Sequence, residues 1–289
     1  MAAVRVRIAR GGRVSHPHDL TELEHEHDFR ELVIVLRGRA QHRLQGRDVP
    51  VQTGDVYILR ERSRHYFHAI EELDLINVMY DPARLPLPHD QLRQLSGYSA
   101  LFLLEPQYRA RHQFSSRLQL GPEALDKARL IGEEMVREAA MDQPGRGVML
   151  LSRLLELMTF LSRQYGRATT TERRELLRIG EVMGVLEREF TRPWTIRDLC
   201  GMAHLSRSTF LRTFSKAMGC PPMVFLIGRR MKEAVRLLRE SDRNITEIAY
   251  ACGFSDSNYF ARQFRRQHGL SPSAFRNRGR REFNRAGMA

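Results

Sequence analysis

Over residues 1 to about 82 the apolar positions come in short blocks broken by glycines and charged residues. Glu31–Gly38 (ELVIVLRG) is rich in β-branched residues and stops at a glycine, which predicts a strand. QHRLQGRDVPV reads as strand, turn at Gly46–Arg47 and strand. TGDVYILRERSRHYFHAI continues the pattern, and LDLINVMYDP closes it at Pro82. Short strands joined by glycine turns predict a small β-barrel or sandwich. Pro82, Pro86 and Pro88 mark its exit.

From Pro122 the period changes. ALDKARLIGEEMVREAA places Leu125, Ala128, Ile131, Met135 and Ala139 near the helical repeat. Gly145–Arg146–Gly147 breaks the pattern, and VMLLSRLLELMTFLSRQYG predicts a second helix that is apolar on most of its surface. Such a helix must be buried. Packing against the barrel and a dimer interface both satisfy that requirement. The polar stretch Arg167–Glu175 then reads as a linker.

Two similar segments follow, about fifty residues apart: TIRDLCGMAHLSRSTFLRTFSKAMGCPPMVF (Thr195–Phe225) and ITEIAYACGFSDSNYFARQFRRQHGLSPSAF (Ile245–Phe275). Leu199 matches Ile248, Cys200 matches Ala249 and Ser206 matches Ser255 at an offset of 49. One inserted residue makes the offset 50, at which Phe210, Arg212, Phe214, Gly219 and Pro222 match Phe260, Arg262, Phe264, Gly269 and Pro272. Each copy has the pattern of a helix-turn-helix. A short helix ends in a tight turn, Ala203–His204–Leu205 or Cys252–Gly253–Phe254. Gly253 suits the positive φ of such a turn. Ser206 or Ser255 is the expected N-cap of the next helix. That helix turns Phe210, Phe214 and Met218, or Phe260 and Phe264, inward. Its other face carries Ser208, Thr209, Arg212 and Lys216, or Asn258, Arg262, Arg265 and Arg266. The segment VFLIGRRMKEAVRLLRE is a spacer helix between the copies.

Composition supports this division. The 289 residues suit two domains, and 42% hydrophobic content suffices for real cores. The net charge of +13 is concentrated: residues 178–289 hold 21 Arg and Lys against 10 Asp and Glu. That asymmetry points to a polyanionic partner for one domain only. No apolar run is long enough for a signal peptide or a membrane span. Three cysteines, Cys200, Cys220 and Cys252, lack the count and spacing of a disulfide framework or zinc site. The expected location is the cytoplasm.

The tandem repeat, IAYACGFSDSNYFARQFRRQHGLSPSAFR and RRMKEAVRLL together resemble the AraC/XylS family of bacterial transcription regulators, over about Ile179 to Arg276. The resemblance implies two recognition helices in successive major-groove segments on one face of DNA, one helical turn or roughly 34 Å apart. Expected base contacts are Ser208, Thr209 and Arg212 in copy one, and Asp256, Asn258 and Arg262 in copy two, since Asn suits adenine, Arg guanine and Asp cytosine. Asp256 has a second reading, as a helix cap. Arg265 and Arg266 are expected at phosphates, and Arg207, Lys216 and Ser257 complete the expected DNA-binding set.

In the first domain His25, His27, Phe29 and Glu31 share one parity, so a strand would project them to one face. HEHDFRELVIVLRG, as H-x-H-x3-E-x6-G, resembles the first cupin motif. That implies a divalent-metal set of His25, His27 and Glu31, with His65 or His68 as the fourth ligand. The second cupin motif is altered, since Arg60–Glu61–Arg62 stands where P-x-G is usual. The histidines alternatively hydrogen-bond within a sugar pocket or with the core. HEHDFRELVIVLRG, RSRHYFHAIEELDLINVMYDP and CGFSDSNYF are together similar to the L-rhamnose operon activators of the same family. This likeness implies a dimeric activator that contacts RNA polymerase and responds to a small sugar such as L-rhamnose. Pocket candidates are His25, His27, Glu31, Arg43, His65 and Tyr66.

The expected fold class is α+β. Residues 1–165 form a cupin-like β-barrel with a helical dimerisation segment, and 166–177 are a linker. Residues 178–280 form an all-α domain with two helix-turn-helix units. Operator DNA and a sugar effector are the expected partners, RNA polymerase a further one. No enzyme activity and no required cofactor are expected. Two other readings remain: a metal-dependent cupin dioxygenase or isomerase with accessory DNA-binding units, and a general nucleoid-binding protein.

Overall fold

The computed structural model describes residues 4–9, 24–44, 46–106, 118–167 and 171–278. Backbone contacts divide the chain into two compact units that meet at Gly184 and Val185. The expected linker, 166–177, is helical from Thr171 onward. Its residues 168–170, and the last two residues of the expected 178–280 domain, lie outside the described set.

The first unit is an antiparallel sheet. Its strands are β1 (Val4–Ala9), β2 (Arg30–Leu44), β3 (Arg47–Gln52), β4 (Asp55–Leu59), β5 (His65–Tyr80) and β6 (Leu118–Gln119). The order is β1-β5-β2-β4-β6, with β3 paired to the far half of β2. The α+β class is as expected, but the barrel is not: among the described residues the sheet stays open. Closure requires the outer strands to pair, and β1 and β6 pair only with β5 and β4. The long strands β2 and β5 pair along most of their length, with register shifts between Val35 and Gln41. Gly38 sits at this irregularity with φ 80°, and a Cβ there would lie 2.4 Å from the Glu71 and Glu72 carbonyl oxygens. Only glycine fits so close a backbone approach.

One sheet face carries a core of Val33, Val35, Ala40, Leu44, Tyr57, Leu59, Phe67 and Leu75. The other receives helices. Short α1 (His89–Arg93) and α2 (Ser96–Tyr98), which runs into a π-helical turn at Ser99–Leu104, precede α3 (Pro122–Ala140) and α4 (Arg146–Tyr165). Helix α3 lies on the sheet through Gly132, where a Cβ would meet Ile76 at 2.4 Å. Helices α3 and α4 form an antiparallel hairpin, with Arg153 2.9 Å from Glu134. The apolar α4 thus buries Leu150, Leu154, Leu157, Met158 and Leu161 within its own unit. Each such side chain contributes about 1.5–3 kcal/mol. Helix α5 (Thr171–Arg188) ends the unit and enters the next.

The second unit is all helical: α6 (Ile196–Ala203), α7 (Arg207–Met218), α8 (Pro222–Glu240), α9 (Ile245–Ala251) and α10 (Ser257–His268). Among the described residues no helix is long and apolar enough to cross a membrane.

Candidate nucleic-acid interface and ligand cavity

The repeat seen in sequence is a repeat of caps and turns. Helix α6 starts with a capping box, in which Thr195 Oγ1 accepts from the Asp198 N–H and Asp198 accepts from the Thr195 N–H. Helix α9 starts with the same device, built from Asn244 and Glu247. Both pairs follow the capping-box spacing, a sequence signal that identifies the start of each unit. The turn residues also correspond: His204 has φ 49° and Gly253 φ 83°. Recognition helix α7 is capped by Ser206, whose side chain accepts from the Thr209 N–H. Copy two departs from expectation here. Its N-cap is Asp256, whose Oδ1 accepts from the Asn258 N–H at 2.7 Å, and not Ser255. The inserted residue has moved the helix start by one position, so the caps are 50 apart while the turns are 49 apart.

Phe210 and Phe214 are fully buried beneath α7, as are Phe260 and Phe264 beneath α10. Met218, expected inward, is only half-buried. The inward faces orient the outward ones. Arg207, Ser208 and Arg212 are exposed on α7, with Thr209 and Lys216 half-buried. Asp256, Asn258, Arg262, Arg265 and Arg266 are exposed on α10 or its cap, with Ser257 half-buried. Tyr259, which sequence reasoning passed over, is exposed on the same stripe, with the Arg262 guanidinium 5.9 Å from its ring centre. The stripe is therefore cationic and aromatic, a surface that suits phosphates and base edges.

Helix α8 ties the two copies together. The Arg230 guanidinium donates to the Phe190 carbonyl at 2.7 Å and the Arg192 carbonyl at 2.8 Å, both before copy one. It also lies 5.4 Å from the ring centre of Phe254, in the turn of copy two. Its neighbour Arg229 pairs with buried Glu187 at 2.9 Å.

In the first unit, three of the four expected metal ligands converge. Donor atoms of His27, Glu31 and His65 lie within 4.8 Å of one another. His25 stays outside that group. It bridges to His65 through the backbone, and its ring centre lies 4.4 Å from that of His65. The Nδ1 atoms of His27 and His65 donate to the carbonyls of Phe29 (2.7 Å) and Ser63 (2.9 Å). Both Nε2 atoms consequently face the same Glu31 oxygen, at 2.8 and 3.4 Å. Such a geometry is satisfied by protons on the Nε2 atoms or by a cation between the three groups. Burial, the largest influence on Glu31, works to raise its pKa. Hydrogen bonds from His27 and His65, and their charges, outweigh it and hold the carboxyl well below the usual range. Burial likewise works to lower His65, but the Glu31 hydrogen bond and charge prevail and raise it.

Arg43 and Tyr66 do not join this group. Arg43 is exposed and forms a fork with Asp48, at 2.8 and 2.5 Å, and His68 bonds the same Asp48 at 2.8 Å. The residue facing inward is His42, buried among Tyr57, His65 and Phe67. Parity counted from Glu31 selects Arg43. The register shifts between Val35 and Gln41 reverse the parity, so Ala40, His42 and Leu44 share the face of Val33 and Val35. Asn77, fully buried on the same face, donates to the other oxygen of Glu31. Beside this cluster lies a cavity of about 490 Å³, lined by Arg5, Arg7, His25, His27, Phe29 and Glu31 among others.

Two family models match the chain. A helix-turn-helix domain model covers residues 199–278, and an AraC-like ligand binding domain model covers residues 11–141. The HTH-type transcriptional activator RhaS of Citrobacter koseri is 31% identical over 256 residues, 88% of this chain and 87% of that protein. RhaR of Pectobacterium carotovorum is 30% identical over 267 residues, 91% of this chain and 88% of that protein. The chain belongs to the AraC family of transcription regulators. The DNA-binding domain of AdpA, solved with target DNA, is 35% identical over 36% of this chain and 94% of its own, with a TM-score of 0.35. As an AraC-family regulator, the chain holds its paired arginines Arg212 and Arg262 inside the helix-turn-helix match. Its histidine cluster lies inside the ligand-binding match.

Proposed function

We propose that this AraC-family regulator is a sugar-responsive transcription activator that binds operator DNA through α7 and α10. The observation that carries the reading is the equivalence of Arg212 and Arg262. Each stands exposed on a recognition helix whose opposite face is locked by two buried phenylalanines. With Ser208, Thr209 and Asn258 they read base edges, while Arg207, Lys216, Ser257, Arg265 and Arg266 hold phosphates. Asp256 serves as helix cap. The effector occupies the cavity beside His25, His27, Glu31 and His65. It shifts the population toward the conformation that engages DNA and RNA polymerase. The activating direction rests on the likeness to the transcriptional activators RhaS and RhaR, and the sugar on the resemblance of HEHDFRELVIVLRG and RSRHYFHAIEELDLINVMYDP to the L-rhamnose operon activators. The protein acts as a homodimer, for which the exposed Val148 and Met149 of α4 and Leu130 of α3 supply an apolar surface.

Genome-wide mapping of bound sites with and without candidate sugars tests the whole reading. For the base contacts, Arg262→Ala should lower operator affinity by about 1–3 kcal/mol while leaving random DNA nearly unaffected. Equal loss on both sequences overturns the base-reading role.

A second reading concerns metal. The three converging donors of His27, Glu31 and His65 fit a divalent transition ion, with both Nδ1 atoms anchored to backbone carbonyls. Here the ion orders the cavity wall. Metal analysis of untagged protein purified without chelator tests it, and substoichiometric metal overturns it. Turnover of a sugar by metal-loaded protein would instead favour a cupin enzyme.

A further inference from the structure

No motif in the sequence marks Arg5 and Arg7, and the sheet places them at the cavity. Arg5 on β1 pairs with Met79 on β5, which pairs with Glu31 on β2. Arg7 pairs with Asn77, which pairs with Val33. Directly paired residues project to the same face of a sheet, so both arginines share the face of Glu31 and Asn77. Arg5 stands two strands from Glu31, about 10 Å between backbones.

The Arg5 side chain is held in position. Its guanidinium lies 5.1 Å from the centre of the Phe29 ring. Phe29 in turn stacks on His27, at 4.2 Å between centres and 6° between planes. A cation–π contact of this kind places the charge over the ring face and leaves the guanidinium N–H groups able to donate elsewhere. Among the described residues, neither Arg5 nor Arg62, which also lines the cavity, pairs with a carboxylate. The cavity's own acids are otherwise engaged or solvated. Glu31 is taken up by His27, His65 and Asn77, Glu26 pairs outward with Arg64 at 3.4 Å, and Asp28 is exposed. The cavity thus has polar side chains at one end, the histidines and the exposed Asp28, and at the other a guanidinium that pairs with no carboxylate among the described residues. A neutral sugar would leave that guanidinium without a counter-charge among the described residues.

We propose that the ligand of this cavity is an anionic polyol, a sugar acid or a sugar phosphate, with Arg5 as the receptor of its charged group. The inference rests on the reading above that the N-terminal unit takes a sugar-like effector. Arginine binds carboxylate and phosphate through paired N–H donors, so either group fits, and the hydroxyls remain for the other end of the cavity.

Calorimetric titration of the full chain with matched series tests this. Each series holds one neutral aldose (L-rhamnose, D-galactose or D-xylose), its aldonate and its 1-phosphate. In at least one series an anionic member should bind about tenfold or more tightly than the aldose, as expected for a charge-assisted pair. Added salt should shrink that advantage. Arg5→Gln should abolish the advantage of the anionic member over its aldose, and Arg5→Lys should keep part of it. Arg37→Gln, on the same sheet but outside the cavity, is the folding control. Preference for the aldonate assigns a sugar acid, and preference for the phosphate a sugar phosphate. Equal or tighter binding of the neutral aldose overturns the anionic ligand and leaves the sugar-effector reading standing. No binding by any member of any series overturns both.

Discussion

Arg230, in the helix joining the two DNA-reading units, donates to the main-chain carbonyl of Phe190 at 2.7 Å. The same guanidinium reaches the Phe254 ring in the turn of copy two. It therefore clamps the segment ahead of copy one to the turn of copy two. Spacing between DNA half-sites is a geometric consequence of such a clamp. Arg230→Met keeps the side-chain length and removes both hydrogen bonds. On an operator recovered by selection in vitro, one inserted base pair between half-sites should weaken the native protein about tenfold, roughly 1.4 kcal/mol. The variant should lose markedly less on the insertion while its melting temperature stays within a few degrees. A spacing profile identical to that of the native protein would show that the clamp does not set the register.

The two turns respond oppositely to substitution. At Gly253 an added Cβ would lie 2.5 Å from the Thr191 carbonyl oxygen, at φ 83°. Gly253→Ala should destabilise the second unit by about 2 kcal/mol or more. At the equivalent His204 the left-handed conformation is borne by a side-chain residue. His204→Gly should stabilise it by about 0.5–1 kcal/mol, the strain relieved less the entropy added. Urea denaturation of each variant checks the signs, and the same sign at both positions would contradict the strain argument.

The buried Glu31–His65 pair makes the first unit's stability depend on pH. The Glu31 carboxyl lies below its ordinary 4.5, so its contribution is present above pH 4.5 and fades as pH falls below it. His65 lies above its ordinary 6.5, so its contribution is full below pH 6.5 and is lost as pH rises through the raised value. The stability gap between native protein and Glu31→Gln, measured by denaturant unfolding with chelator present, should be widest between about pH 4.5 and 6.5. A gap constant from pH 4 to pH 9 would exclude the ion pair as its source.

Much of the DNA-binding unit was readable along the chain, because its signals are local. The buried phenylalanines recur at helical spacing, Ser206 caps α7, and Gly253 marks its turn. A local misreading, Ser255 for Asp256 as the second cap, arose at the inserted residue, where the two copies drop out of step. In the first unit the same approach brought together His27, Glu31 and His65, which meet in space. It failed for Arg43 and Tyr66, and it missed His42, Asn77 and Arg5.

The reason for that failure is physical. Residue type and local period determined that strands come first, that helices follow, and that the last third presents two cationic recognition helices. Those features depend on interactions within a few residues. Which side chains share a sheet face depends on register, and the shifts between Val35 and Gln41 reverse the parity of β2. Whether the barrel closes depends on pairing between strands distant in sequence, and here β1 and β6 do not meet. The Arg230 clamp joins positions 38 and 40 residues away to the turn of copy two. Nonlocal pairing of this kind is decided by the folded chain as a whole, and it converted a row of histidines into a cavity with an arginine at its far end.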